Sequence, residues 1–137
     1  MQLLWAIAHG LESISKRLQR SRGITGPQRL VLRLVGHFGT ASPGDLALVL
    51  HVHPSSITGV LRRLERTRLI RRTRDPGDGR RSILVLTPRG RHLVKDSKGT
   101  VEAAVQTTLT RFPQKRIDAV RDVLTALASE LESERQR

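Results

Sequence analysis

A chain of 137 residues is long enough to bury a core and too short for two independent folds, which leaves one domain over residues 1–137. Its 25 Lys and Arg against 12 Asp and Glu give a formal charge of +13, a self-repelling surplus that proteins keep where a polyanion offsets it. The absence of cysteine excludes disulfides, thiolate zinc sites and thiol switches, and the early apolar run Leu3–Ala8 is far too short to span a bilayer, so the chain reads as cytoplasmic with no membrane partner.

In chain order, Leu4, Ile7, Leu11, Ile14 and Leu18 recur at steps of three and four, the spacing of a helix that packs along another and stops near Gly23. Thr25, with Pro27 in the first turn and Gln28 three residues on, is a capping-box start for a second helix that Gly39 ends. Ser42, Pro43 and Asp45 repeat that device for a short third helix through Leu50. After His51-Val52-His53, Pro54 opens a fourth helix with Ile57, Val60, Leu61 and Leu64 at helical period, so a tight turn joins two short helices in a helix-turn-helix.

From Leu69 to Thr73 and again from Ser82 to Leu86 the pattern turns strand-like, and the DPGDGRR stretch between them predicts a hairpin with a basic tip. Thr87-Pro88 restarts a helix expected to carry Leu93, Val94, Val101, Val105 and Leu109 as far as Pro113, with Gly90 and Gly99 as its weak points. Ile117, Val120, Leu124, Leu127 and Leu131 then give a regular seam in the last helix. Apolar seams at both ends of the chain are more regular than a small monomer needs, and they predict a homodimer held by Leu4, Ile7, Leu11, Ile117, Val120, Leu124, Leu127 and Leu131.

The charge is concentrated. From Arg62 to Lys95 twelve Arg/Lys stand against three Asp/Glu, about nine of the thirteen excess charges. The small polar residues Pro54, Ser55, Ser56 and Thr58 stand at the start of the fourth helix, where a recognition helix meets base edges, and Arg62, Arg63 and Arg66 follow them. Arg80 and Arg81 at the hairpin tip, flanked by Arg72 and Arg74, have the reach of a wing that inserts a guanidinium into the minor groove, and Asp78 is expected to hold Arg80 through a bidentate pair. Trp5, Phe38 and Phe112 are too few for the stacking platforms of single-strand and RNA binders, which favours duplex DNA.

The stretch DPGDGRRSILVLTPRGRHL, Asp75 to Leu93, closely resembles the wing signature of MarR-type winged helix-turn-helix regulators, and LALVLHVHPSSITGVLRRLE resembles their helix-turn-helix. The resemblance implies a mainly α (α+β) fold: a winged helix-turn-helix over 25–87 with a two-stranded β-wing, and N- and C-terminal dimerisation helices over 1–22 and 88–137. It also implies a homodimeric repressor of a palindromic operator, with Arg80 as the minor-groove arginine, Asp78 as its anchor, and in many members a small aromatic or anionic effector that weakens DNA binding. Two departures stand out. Arg68 occupies the position where the family ends its recognition helix with glycine, so that helix is expected to end differently, and His53 takes the N-cap place of Ser, Thr or Asp.

Other classes fare worse. His51 and His53, with His9, His37 and His92, raise a metal-sensor reading, but no Glu-x-x-His or HExxH spacing supports it and no metal or cofactor is assigned. No nucleophile, base and orienter signature and no phosphate-cradling loop before a helix points to an enzyme. The remaining alternative is a sequence-neutral architectural protein that coats or bends DNA.

Overall fold

The computed structural model describes residues 1–137 except for the side chain of Gln136. Seven helices and one hairpin follow in the order α1 (Gln2–Arg22), α2 (Gly26–Phe38), α3 (Pro43–Val49), α4 (Pro54–Arg66), β1 (Ile70–Arg74), β2 (Ser82–Leu86), α5 (Pro88–Lys95), α6 (Val101–Leu109) and α7 (Gln114–Gln136). The two strands pair antiparallel from Ile70 opposite Leu86 to Arg74 opposite Ser82. Ala41, between α2 and α3, adds a bridge to β2, where the Leu84 N–H donates to its carbonyl at 2.8 Å.

Local chemistry places each helix start. Thr25 accepts the Gln28 N–H at 3.3 Å while the Gln28 side chain accepts the Thr25 N–H at 3.0 Å, so both capping-box bonds form. Ser42 and Asp45 repeat the reciprocal pair at 3.2 and 2.8 Å. His53 also caps: its Nδ1 accepts the Ser55 N–H at 3.3 Å and lies 2.8 Å from the Ser55 hydroxyl, so an imidazole stands where a short hydroxyl or carboxylate is usual.

The end of α4 departs from expectation. Arg68 adopts φ 56°, the left-handed conformation that glycine takes at little cost, and α4 terminates in an ordinary Schellman closure. The Leu69 N–H donates to the Leu64 carbonyl and the Arg68 N–H to that of Glu65, both at 2.9 Å. Leu64 and Leu69, at the two ends of the closure, are both buried in the hydrophobic core, which favours the left-handed turn at Arg68 despite its Cβ. Because the Leu69 N–H is spent on this closure, β1 begins at Ile70. His51, at φ 53°, ends α3 in the same way, with the Val52 N–H on the Ala47 carbonyl at 3.1 Å.

A second expectation is corrected: the helix predicted from Pro88 to Leu109 is two helices. The chain leaves α5 at Asp96, whose carboxylate accepts the Lys98 N–H at 3.0 Å, passes Gly99 at φ 69°, and re-enters helix at Thr100, which caps α6.

The hydrophobic core runs from Ile24 to Leu84, through Leu32, Leu46, Leu61, Leu64 and Ile70, and thus joins α2, α3, α4 and the hairpin. Leu93 and Val94 of α5 pack against it. The helices α1, α6 and α7 contribute nothing to that cluster, and Leu4, Ile7, Leu11, Val120, Leu124 and Leu131 are exposed.

Candidate nucleic-acid interface

The core dictates which face of α4 is free. Ile57, Leu61 and Leu64 turn inward, which leaves Pro54, Ser55, Ser56, Thr58, Arg62, Arg63 and Arg66 exposed. Thr58 donates its hydroxyl to the Pro54 carbonyl at 3.1 Å, and Ser56 accepts from Arg135, near the end of α7, at 2.9 Å. The guanidinium groups of Arg62, Arg63 and Arg66 have no partner among the described residues and line a cleft of about 800 Å³ between α4 and the start of α2, where Gln28 stands.

The wing loop is organised by backbone turns. Asp75 Oδ1 accepts the Gly77 N–H at 2.8 Å, Asp78 Oδ1 accepts the Arg80 N–H at 3.0 Å, and the Asp75 and Arg81 backbones close the loop at 2.9 Å. The expected Asp78–Arg80 side-chain pair is therefore corrected. Two residues apart, the carboxylate closes an Asx turn on the amide more easily than it reaches the guanidinium, which is left free among the described residues.

The four wing arginines divide in two. Arg80 and Arg74 are exposed with no side-chain partner among the described residues, whereas Arg72 is paired with Glu65 of α4 at 2.6 Å and Arg81 with Asp45 and Ser42 at the start of α3. Bonds from the Ser42 amide and hydroxyl, with the nearby Arg81 cation, hold the Asp45 carboxyl below its ordinary value against a small desolvation penalty. Arg72 and Arg81 thus fasten the wing to the helices on either side of it, while Arg74 and Arg80 project.

Sequence reasoning singled out neither Asp45 nor Glu65 as part of this site. Asp45 already had a local role as a capping residue, and the contact that matters spans 36 residues of chain, where periodicity carries no signal. Arg135, beside Ser56, was equally invisible. No group of His, Asp or Glu among the described residues is arranged to hold a metal ion, and no described helix is long and apolar enough to cross a membrane.

Fold and site together define a winged helix-turn-helix protein of the DNA-binding kind. The model of the MarR family matches residues 22–81. An HTH-type transcriptional repressor of Mycobacterium tuberculosis is 34% identical over 96 residues, 69% of each chain. Among solved structures, S. aureus MepR in complex with DNA is similar with a TM-score of 0.72 and 25% identity, over 95% of this chain and 96% of that one. Streptococcus pneumoniae FabT in complex with DNA is similar with a TM-score of 0.67 and 26% identity, over 96% and 94%. The chain belongs to the MarR family of DNA-binding transcriptional regulators, and it is a regulator of transcription rather than an enzyme.

Proposed function

We infer that this regulator is a cytoplasmic repressor that binds a palindromic operator as a homodimer and is released by a small aromatic or anionic effector. In this reading residues 25–87 read DNA, and 1–22 with 88–137 join the protomers. The observation that carries it is the division of the arginines: Arg62, Arg63 and Arg66 of α4 and Arg74 and Arg80 of the wing are exposed with no side-chain partner among the described residues, while their neighbours Arg72 and Arg81 are spent on fixing the wing.

The exposed first turn of α4 suits the major groove. Ser55, Ser56 and Thr58 offer short hydroxyls at base edges, and Thr58 has a methyl for thymine. Arg62, Arg63 and Arg66, farther along the helix, meet phosphates, which position the helix without reading sequence. Arg80, carried outward by the Asx turn at Asp78, reaches the minor groove, where the field of the phosphates is strongest. The uncovered seams of α1 and α7 support the dimer, and the cleft beside Arg62 and Arg66 supports an anionic effector that would draw those cations away from DNA. The relative from M. tuberculosis is named a repressor, which supports that direction of control here.

Selection from a randomised duplex library, followed by mobility-shift titration against excess nonspecific DNA, tests the reading. The expected result is an inverted repeat with half-sites about one helical turn apart and a specificity ratio above about a thousandfold. Equal affinity for every duplex would instead identify a sequence-neutral architectural protein.

A further inference from the structure

Arg29 of α2 is only 2% exposed and is the one buried charged residue among the described residues. A guanidinium is costly to bury unless its donors are satisfied, and here they converge on the joint between α5 and α6. They reach the carbonyls of Leu93 at 2.9 Å, Val94 at 3.4 Å and Asp96 at 2.8 Å, and the carboxylate of Glu102 in the first turn of α6 at 2.5 Å. The carbonyls are those that a helix end leaves without intrahelical partners, so Arg29 caps α5 and grips α6 with one side chain.

Two further arginines close on the same joint. Arg22 bonds the Asp96 carbonyl at 2.8 Å, the Asp96 carboxylate at 2.7 Å and the Lys98 carbonyl at 3.0 Å, and Arg17 bonds the Gly99 carbonyl at 2.5 Å. Gly99 suits that clasp twice over, because its φ of 69° disfavours a side chain and a Cβ would stand 3.2 Å from the Arg17 guanidinium. The reading head has its own core between Ile24 and Leu84, whereas the uncovered apolar seams lie outside it on α1 and α7. The clasped joint is where the chain passes from α5, packed on the head, to α6, which is outside that core.

We propose that Arg29 is a positioning residue for operator binding: acting through Glu102 and the α5–α6 joint, it fixes the angle between reading head and dimer arm, and so the separation of the two α4 helices. The inference rests on the dimeric reading above. A loosened joint leaves each head folded and able to bind a half-site, and removes the preference for one half-site spacing.

The test uses the full chain, the selected operator, versions of it with two base pairs added or removed between half-sites, and a single half-site duplex. The intact protein is expected to lose roughly tenfold or more in affinity on the respaced operators. Glu102→Gln and Arg29→Lys are expected to bind the single half-site as the parent does, with a native-to-respaced ratio reduced towards one. A folded, dimeric Glu102→Gln protein with the parent's ratio would overturn the proposal, even where Arg29→Lys fails to fold. Monomers in sedimentation, or an intact protein indifferent to spacing, would overturn the dimeric reading itself and this inference with it.

Discussion

Arg81, at the end of the wing loop, holds the Asp45 carboxylate at the N-terminus of α3, and the same carboxylate caps its own helix on the Ser42 amide. One acidic group therefore ties the wing to the helix-turn-helix, while Arg80 beside it carries a free guanidinium among the described residues. The two arginines are adjacent in sequence and opposite in use. Arg80→Ala is expected to weaken operator binding and to lower the slope of log affinity against log salt by about one, through loss of a cation that sits in the minor groove between the phosphates of the two strands. Arg81→Ala, whose charge is already neutralised within the protein, is expected to weaken binding with little change in slope and to cost about 1 kcal/mol of stability or less, since the pair is nearly half exposed. Salt-series mobility shifts on both variants decide it, and equal slopes for the two would refute the division.

Arg68 sits at φ 56° in the position where a Schellman closure favours glycine. Arg68→Gly relieves the clash of Cβ with its own carbonyl and is expected to stabilise the protein by about 1 kcal/mol in urea unfolding at unchanged m-value. A destabilised variant would show that the arginine side chain makes a contribution larger than the strain it imposes.

How far the sequence discloses this molecule follows from the range of each interaction. Thr25, Ser42 and Pro54 mark helix starts because a cap and its partner lie three residues apart, and the arginines of α4 stand out because Ile57, Leu61 and Leu64 fix the opposite face at helical period. Gly99 marks a weak point in the helix after Pro88, but Val94 and Val101 continue an apolar period across it, and the stop shows only in the extended backbone of Asp96, its turn on Lys98 and the positive φ of Gly99. The partners of Arg29, Arg72 and Arg81 lie 7 to 73 residues away, and an arginine that grips the protein is spelled like one that grips DNA.

Gly90, in the first turn of α5, lies against the carbonyl of Leu69, and a Cβ there would stand 2.1 Å from its oxygen. The same carbonyl accepts the Thr87 N–H at 3.1 Å, so the start of α5 is locked to the start of the hairpin. Backbone cannot yield as a flexible side chain does. Gly90→Ala is therefore expected to destabilise the fold by about 3 kcal/mol or more, read by thermal or urea unfolding, although alanine is the better helix former.

Burial raises the pKa of Glu102, but hydrogen bonds from its own backbone N–H and from Arg29, with the Arg29 charge, prevail and hold it below 4.5. A carboxylate with a depressed folded-state pKa contributes stability that is fully present above its unfolded value and is lost as the pH falls through the folded one. Unfolding free energy is therefore expected to fall as the pH is lowered below about 4.5. In Glu102→Gln that acid limb should be shallower. Parallel acid limbs for parent and variant in pH-dependent urea melts would show that Glu102 carries none of it.

The seam of α7 offers a way to separate assembly from folding. Leu124 is 51% exposed in the protomer, whereas Leu127 one turn on is half-buried, so a carboxylate at 124 meets solvent in the monomer and an apolar partner only in the dimer. Leu124→Asp is expected to sediment as a folded monomer with the parent's helical circular dichroism. Its binding to a single half-site should persist while the affinity gained from two linked heads disappears. Leu127→Asp is expected to disturb the protomer as well. A Leu124→Asp protein that still sediments as a dimer would place the contact between protomers somewhere other than the exposed stripe through Val120, Leu124 and Leu131.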